Sequence, residues 1–177
     1  MKLHKNHKPE NHISMKQYTI TYLVRAGEMG RNKTVILAEK KDKIGVGKLN
    51  GYGGKIDPGE QIWESAIREI KDESGVLVEP GDLEYSATMV FFDKERPVAE
   101  CHIFIAHRWL GEPVETKEMG VPQEFPISSL PLERMMLGDN LWVPKVLNGM
   151  KFSGAMSFDA DSTKVLRFET YPPFKFR

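Results

Sequence analysis

One segment does most to limit what this chain can become. From Gln61 the apolar residues Ile62, Trp63, Ala66, Ile67 and Ile70 recur at helical spacing, and Gly75 supplies a stop. This predicts an amphipathic helix of about four turns, standing alone between two groups of strand-like runs. Before it come "YTITYLV" (Tyr18 to Val24) and "KTVILAEK" (Lys33 to Lys40). After it come "SATMVFF", "ECHIFIAHRW" and the paired runs "KFSGAMSF" and "KVLRFET", with a second short helix expected around "DNLWVPKVLNGM". A doubly wound parallel sheet needs a helix at each crossover, so the order points instead to a mixed α/β or α+β sandwich.

The helix also carries three carboxylates in five positions, Glu69, Asp72 and Glu73. At about 100° per residue they fall on one side of one cylinder, where like charges cost a few tenths of a kcal/mol per pair. A solvated face is the ordinary account of such a stripe. A shared hard cation is the alternative: Mg²⁺ takes oxygen ligands at about 2.0–2.1 Å and keeps positions for water and phosphate. Arg68 can brace a carboxylate from the side with its fixed fork. Upstream, Lys41 to Gly59 is rich in glycine and reads as loop or short irregular strand; Gly53 and Gly54 permit close backbone approach, and a carbonyl there can add an oxygen ligand.

Bulk properties exclude other classes. The 177 residues suit one domain with a sizeable core, assigned to residues 15–177, while the polar, aperiodic residues 1–14 read as a mobile tail. His4, His7 and His12 in that tail have no setting that recommends them as metal ligands. Lys plus Arg and Asp plus Glu number 25 each, so no net field holds nucleic acid or a membrane. No apolar run approaches the ~20 residues of a membrane span, and the N-terminus lacks the apolar segment of a signal peptide. Cys101, in "CHIFIA", reads as a buried core thiol without a disulfide partner, in keeping with a reducing, cytoplasmic setting.

Gly54, five residues, Glu60, seven residues, then Arg68-Glu69-Ile70-Lys71-Asp72-Glu73-Ser74-Gly75-Val76 closely resembles the Nudix box, G-x5-E-x7-R-E-U-x-E-E-x-G-U with U aliphatic. Asp72 alone departs, standing where the family has the first Glu of its pair. The resemblance implies an α/β/α sandwich around a mixed sheet. It also implies hydrolysis of a diphosphate linkage with Mg²⁺ or Mn²⁺ held by Gly53, Glu69, Asp72, Glu73 and Glu118. Arg68 would support the carboxylates, and Glu73 and Glu118 are both candidates for the general base.

Beyond the box, "LNGYGGK", "VETKEM" and "MMLGDNLWVP" look like the oxidised-purine nucleoside triphosphatases, the 8-oxo-dGTP diphosphatase branch. That likeness implies a small nucleotide substrate as the partner, with Asn50 and Asp139 reading the base and Lys40 near the phosphates. Thr19, Gly54, Lys55, Phe91 and Asn140 complete the implied substrate-binding set. Asp139 can accept two N–H bonds from a guanine edge, and Asn50 offers donor and acceptor. Outside the family, Asn50 would read as a turn residue and Asp139-Asn140 as a helix cap. One of Phe91 and Phe92 is expected in the core and the other against a base. Asn140, Leu137 and Ile44 stand where the branch carries aspartate, tryptophan and phenylalanine, so altered base preference is expected. A Nudix hydrolase of another diphosphate, such as a dinucleoside polyphosphate, nucleotide sugar or RNA 5′ end, and a non-catalytic nucleotide sensor are the alternatives.

Overall fold

The computed structural model describes residues 15–27 and 32–173; the expected tail and its histidines lie outside them. The chain runs β1 (Lys16–Arg25), β2 (Thr34–Glu39), β3 (Leu49–Asn50), α1 (Ile62–Ser74), β4 (Leu83–Asp93), β5 (Arg96–Ala106), β6 (Gln123–Pro126), α2 (Asp139–Leu147), β7 (Phe152–Phe158) and β8 (Val165–Tyr171). The strands form one sheet in the order β3-β2-β1-β5-β4-β7-β8, with β6 added to β2. Pairs β1·β5 and β4·β7 are parallel and the others antiparallel, so the sheet is mixed as expected.

The two helices cover opposite faces, and β1 shows why. Its side chains alternate: Tyr18, Ile20, Tyr22 and Val24 pack with Trp142, Val143 and Val146 of α2, whereas Leu23 packs with Ile70 of α1, Ala38 and Tyr52. Cys101 is buried in the α2-side core, where burial pushes its thiol up. Strands β4 and β5 are longer than the sequence signals imply and form a hairpin closed by Lys94-Glu95, with Lys94 at φ 56°. Trp109, expected at the end of the second strand, lies beyond it.

Helix α1 differs from the sequence expectation in its rotation. Trp63 is 44% exposed, and Ile62 and Ile67 are half-buried, while Ser65, Ala66, Glu69, Ile70, Glu73 and Ser74 face inward. Glu69 and Glu73 are therefore turned under the helix, while Asp72, the third acid, stays exposed. The local cause is the Gly53–Gly54 turn, where the missing Cβ of Gly54 leaves room for the Glu69 carboxylate and the Gly53 N–H draws in Glu73. The helix begins with the Gln61 N–H donating to Glu64 Oε2 at 3.0 Å and ends at Gly75, φ 78°, whose N–H returns to Lys71 O.

Candidate active site

Strand β1 fixes the turn on which the site rests. The Thr19 N–H donates to Gly54 O at 2.9 Å, and the Thr21 and Tyr52 backbones exchange bonds at 2.7 and 2.9 Å. A Cβ on Gly53 would stand 2.0 Å from Thr19 O, so only glycine allows this approach. The Thr19 side chain is buried, and its strand alternation places it on the α1 side.

Helix α1 then brings two buried carboxylates against that turn. Glu73 Oε2 accepts the Gly53 N–H at 2.7 Å, and Glu73 Oε1 lies 3.4 Å from the ammonium of Lys40, itself nearly buried. Burial raises the Glu73 carboxyl above its ordinary range against the opposing pull of Lys40 and the Gly53 N–H. The Glu69 carboxylate lies beside Gly54. Arg68 secures it with Nη1 to Glu69 Oε1 at 2.7 Å, while Nε and Nη2 grip both oxygens of Glu60 at 2.7 and 2.8 Å. Held by that guanidinium, Glu60 is lowered to about 2. Lys55 is exposed, its carbonyl accepting Arg68 Nη2 at 3.3 Å.

Two further expected metal residues are more exposed than this pair. Asp72 is exposed, and its side chain makes no hydrogen bond or ion pair with the described residues. Glu118, on the loop before β6, pairs with Lys43, and its backbone carbonyl accepts the Lys41 N–H at 2.9 Å. No three His, Cys, Asp or Glu side chains among the described residues form a ready-made metal cluster. What the fold does assemble fits a hard cation: two desolvated carboxylates at a glycine turn, all-oxygen donors, with neighbouring cations positioned to orient them.

The second half of the candidate set gathers across the sheet edge at Met136. Asn50 Nδ2 approaches the Met136 sulfur at 3.5 Å while its Oδ1 accepts the Gly51 N–H at 2.8 Å. Asp139 Oδ2 accepts the Met136 N–H at 3.1 Å. The cap reading of Asp139 is corrected: the N-cap of α2 is Gly138 at φ 90°, Asp139 is the first helical residue, and its carboxylate holds the turn that leads into the helix. Asp139 is buried among Tyr22, Trp142 and Cys101, and burial lifts its carboxyl to about 7. Asn140 is exposed and unbonded among the described residues. Phe91 is half-buried against the α2-side core and stacks on Phe158 at 6.3 Å; Phe92 is half-buried outside either core cluster.

Four neighbours escaped the sequence reading. Tyr18 and Ile20 share the α2-side face with Phe91, which the alternation of β1 signals once its partner helix is known. Met136 bridges Asn50 and Asp139, and Lys43 meets Glu118; no local pattern marks either residue.

Residues 15–146 match the family model described as the NUDIX domain. The chain belongs to the Nudix family. It is similar to proteins named oxidized purine nucleoside triphosphate hydrolase. The Danio rerio protein is 36% identical over 150 residues, 82% of this chain and 88% of the relative. The Mus musculus protein is 34% identical over 131 residues, 73% and 81%. Among solved structures, a MutT protein from Bacillus halodurans superposes with a TM-score of 0.68 at 24% identity, covering 88% of this chain and 97% of that one. This Nudix protein is thus a hydrolase of the family that acts on pyrophosphate bonds, and its mixed sheet with two helices is the family's fold. No helix of the described residues is long and apolar enough to cross a membrane.

Proposed function

We propose that this Nudix hydrolase cleaves oxidised purine nucleoside triphosphates such as 8-oxo-dGTP to the monophosphate and pyrophosphate, cleansing a cytoplasmic nucleotide pool. The observation that carries the reading is the convergence of Asn50 and Asp139 on Met136, at the strand β3 end of the sheet whose opposite face bears Glu69 and Glu73. The two named relatives support the substrate class.

Mg²⁺ or Mn²⁺ would be held by Glu69 and Glu73, with Glu118, Asp72 and main chain at Gly53 as further oxygen donors, and supplies charge neutralisation and a more acidic bound water. The protein's own groups do the positioning. Arg68 and Glu60 lock the Glu69 rotamer, and the Gly53 N–H and Lys40 fix Glu73, so the carboxylates need no reorganisation on binding. Lys40 and the exposed Lys55 offer positive charge to phosphate oxygens, Gly54 leaves room for them, and Glu73 or Glu118 accepts the proton of the attacking water. Thr19 holds the turn from beneath. At the base, Asp139 would accept N–H bonds, Asn50 would give and take one each, the Phe91 ring, paired with Phe158, would offer a stacking surface, and Asn140 would present an amide at the rim.

The test is a comparison of kcat/KM and product identity with Mg²⁺ for 8-oxo-dGTP, dGTP, 2-hydroxy-dATP, a dinucleoside tetraphosphate and ADP-ribose. Preference for 8-oxo-dGTP with release of monophosphate and pyrophosphate is expected. Turnover of another diphosphate alone would remove the base-reading assignment and leave the carboxylate site.

A further inference from the structure

The basic side chains that meet the acids of this site differ in how firmly they hold. Lys40–Glu73 is buried, with side-chain exposures of 10% and 2%. Breaking such a pair leaves an uncompensated charge inside the protein. Lys43–Glu118 is open, at 59% and 37%. A pair so exposed contributes little, so its partners exchange at little cost.

Lys43 is nevertheless held with care. It lies in the loop between β2 and β3 at φ 61°, a left-handed conformation that a residue with a Cβ rarely takes. Asp42 Oδ1 accepts its N–H at 2.7 Å. From there its ammonium reaches Glu118 and feels the charges of Glu69 and Glu73 as well. The next residues of the same loop lean on the base-reading corner, where a Cβ at Gly45 would lie 3.1 Å from the Met136 sulfur. One loop therefore touches both ends of the place a nucleotide would occupy.

We propose that Lys43 is a phosphate-binding side chain held in reserve: it pairs with Glu118 in the cation-free protein and passes to the anionic oxygens of a di- or triphosphate when a divalent cation engages Glu118. The inference rests on Glu118 being a cation ligand, as proposed above. A lysine suits the exchange because its ammonium is a compact point charge on a long flexible stem, able to change partner without moving main chain. Lys40 cannot make the same exchange cheaply, being enclosed with Glu73.

Titration calorimetry on the intact protein tests this with two probes, Mn²⁺ alone and inorganic pyrophosphate in saturating Mn²⁺. Lys43→Ala frees Glu118 and is expected to tighten Mn²⁺ about two- to fivefold, the worth of an exposed pair. The same variant is expected to weaken pyrophosphate about five- to tenfold, and Lys43→Arg to preserve both affinities. In a Glu118→Gln background, Lys43→Ala should no longer tighten Mn²⁺. Any outcome other than these opposite shifts, such as both affinities falling together or neither moving, overturns the role of Lys43. Absence of Mn²⁺ binding by the unaltered protein would overturn the proposed metal site and this inference together. Because neither probe contains a base, a wrong purine assignment leaves the result readable.

Discussion

A Cβ on Gly54 would stand 2.6 Å from both carboxylate oxygens of Glu69. The glycine turn and the acidic helix thus meet at an atom that glycine lacks, and that absence sets where the carboxylate can rest. Gly54→Ala should push Glu69 off Arg68 while disturbing little else, because the crowded group is the end of a flexible side chain. Turnover is expected to fall on the order of 10²-fold, as when one preorganised electrostatic group is lost, with Tm nearly unchanged. A large drop in Tm with proportionate loss of activity would mean that the turn itself had failed.

Glu73 is the more enclosed of the two buried acids, bound to both Gly53 N–H and Lys40. Glu73→Gln keeps its shape and removes its charge. At saturating metal we expect at least ~10²-fold loss in kcat; an unchanged kcat would falsify the assignment of this carboxylate.

Arg68 uses three nitrogens at once, two on Glu60 and one on Glu69. Lysine preserves the charge but not the fork. Arg68→Lys should therefore lower kcat about tenfold or more through a loosened Glu69, and adding Glu60→Gln to it should cost little further. Fully additive losses in this cycle would argue that Glu60 acts independently of the arginine.

Asp139 has an ordinary value of 3.8 and a folded value of about 7. Between those limits the folded protein keeps a proton that the unfolded chain has released. Its contribution to stability is therefore most favourable in acid and declines as pH rises from about 4 to about 7, by up to about 4 kcal/mol. Asp139→Asn should remove that decline, so urea unfolding would favour the variant over the parent more at pH 8 than at pH 5. The same titration bears on recognition: the ionised form accepts two N–H bonds of a guanine edge, so kcat/KM for 8-oxo-dGTP should climb through pH 7 in the parent and lose that step in the variant.

Asn140 cannot titrate, and its exposed amide keeps one arrangement of donor and acceptor groups whatever the pH. We expect unequal kcat/KM for 8-oxo-dGTP and 2-hydroxy-dATP at neutral pH, with Asn140→Asp narrowing the gap. Similar values for both substrates in the parent would dispose of this role.

Much of the fold was legible because it rests on periodicity. The β1 and β2 runs, the α1 stop at Gly75 and the closing β7–β8 hairpin each follow from spacing and turn chemistry in the sequence. The rotation of α1 was not legible. Its apolar residues Ile62, Trp63 and Ile67 nominate one face, but close contact with Gly53 and Gly54 turns Glu69 and Glu73 inward instead, and that contact joins segments distant in the chain. The acids of the site were readable from their crowding and from the family pattern. Lys43 and Met136 were not, because each acquires its meaning only from a partner more than 70 residues away, Glu118 and Asn50 respectively.

Strand β1 gives alternate side chains to the two helices, Tyr18, Ile20 and Tyr22 toward α2 and Thr19, Thr21 and Leu23 toward α1. Nucleobase and phosphates would then be handled on opposite sides of a wall one residue thick. A single inserted residue in the middle of β1 would leave composition and hydropathy almost untouched, yet would turn part of that wall inside out. Tolerance to insertion should consequently be lowest there and higher in the 41–48 loop, making β1 the segment where the gene can least afford a change of length.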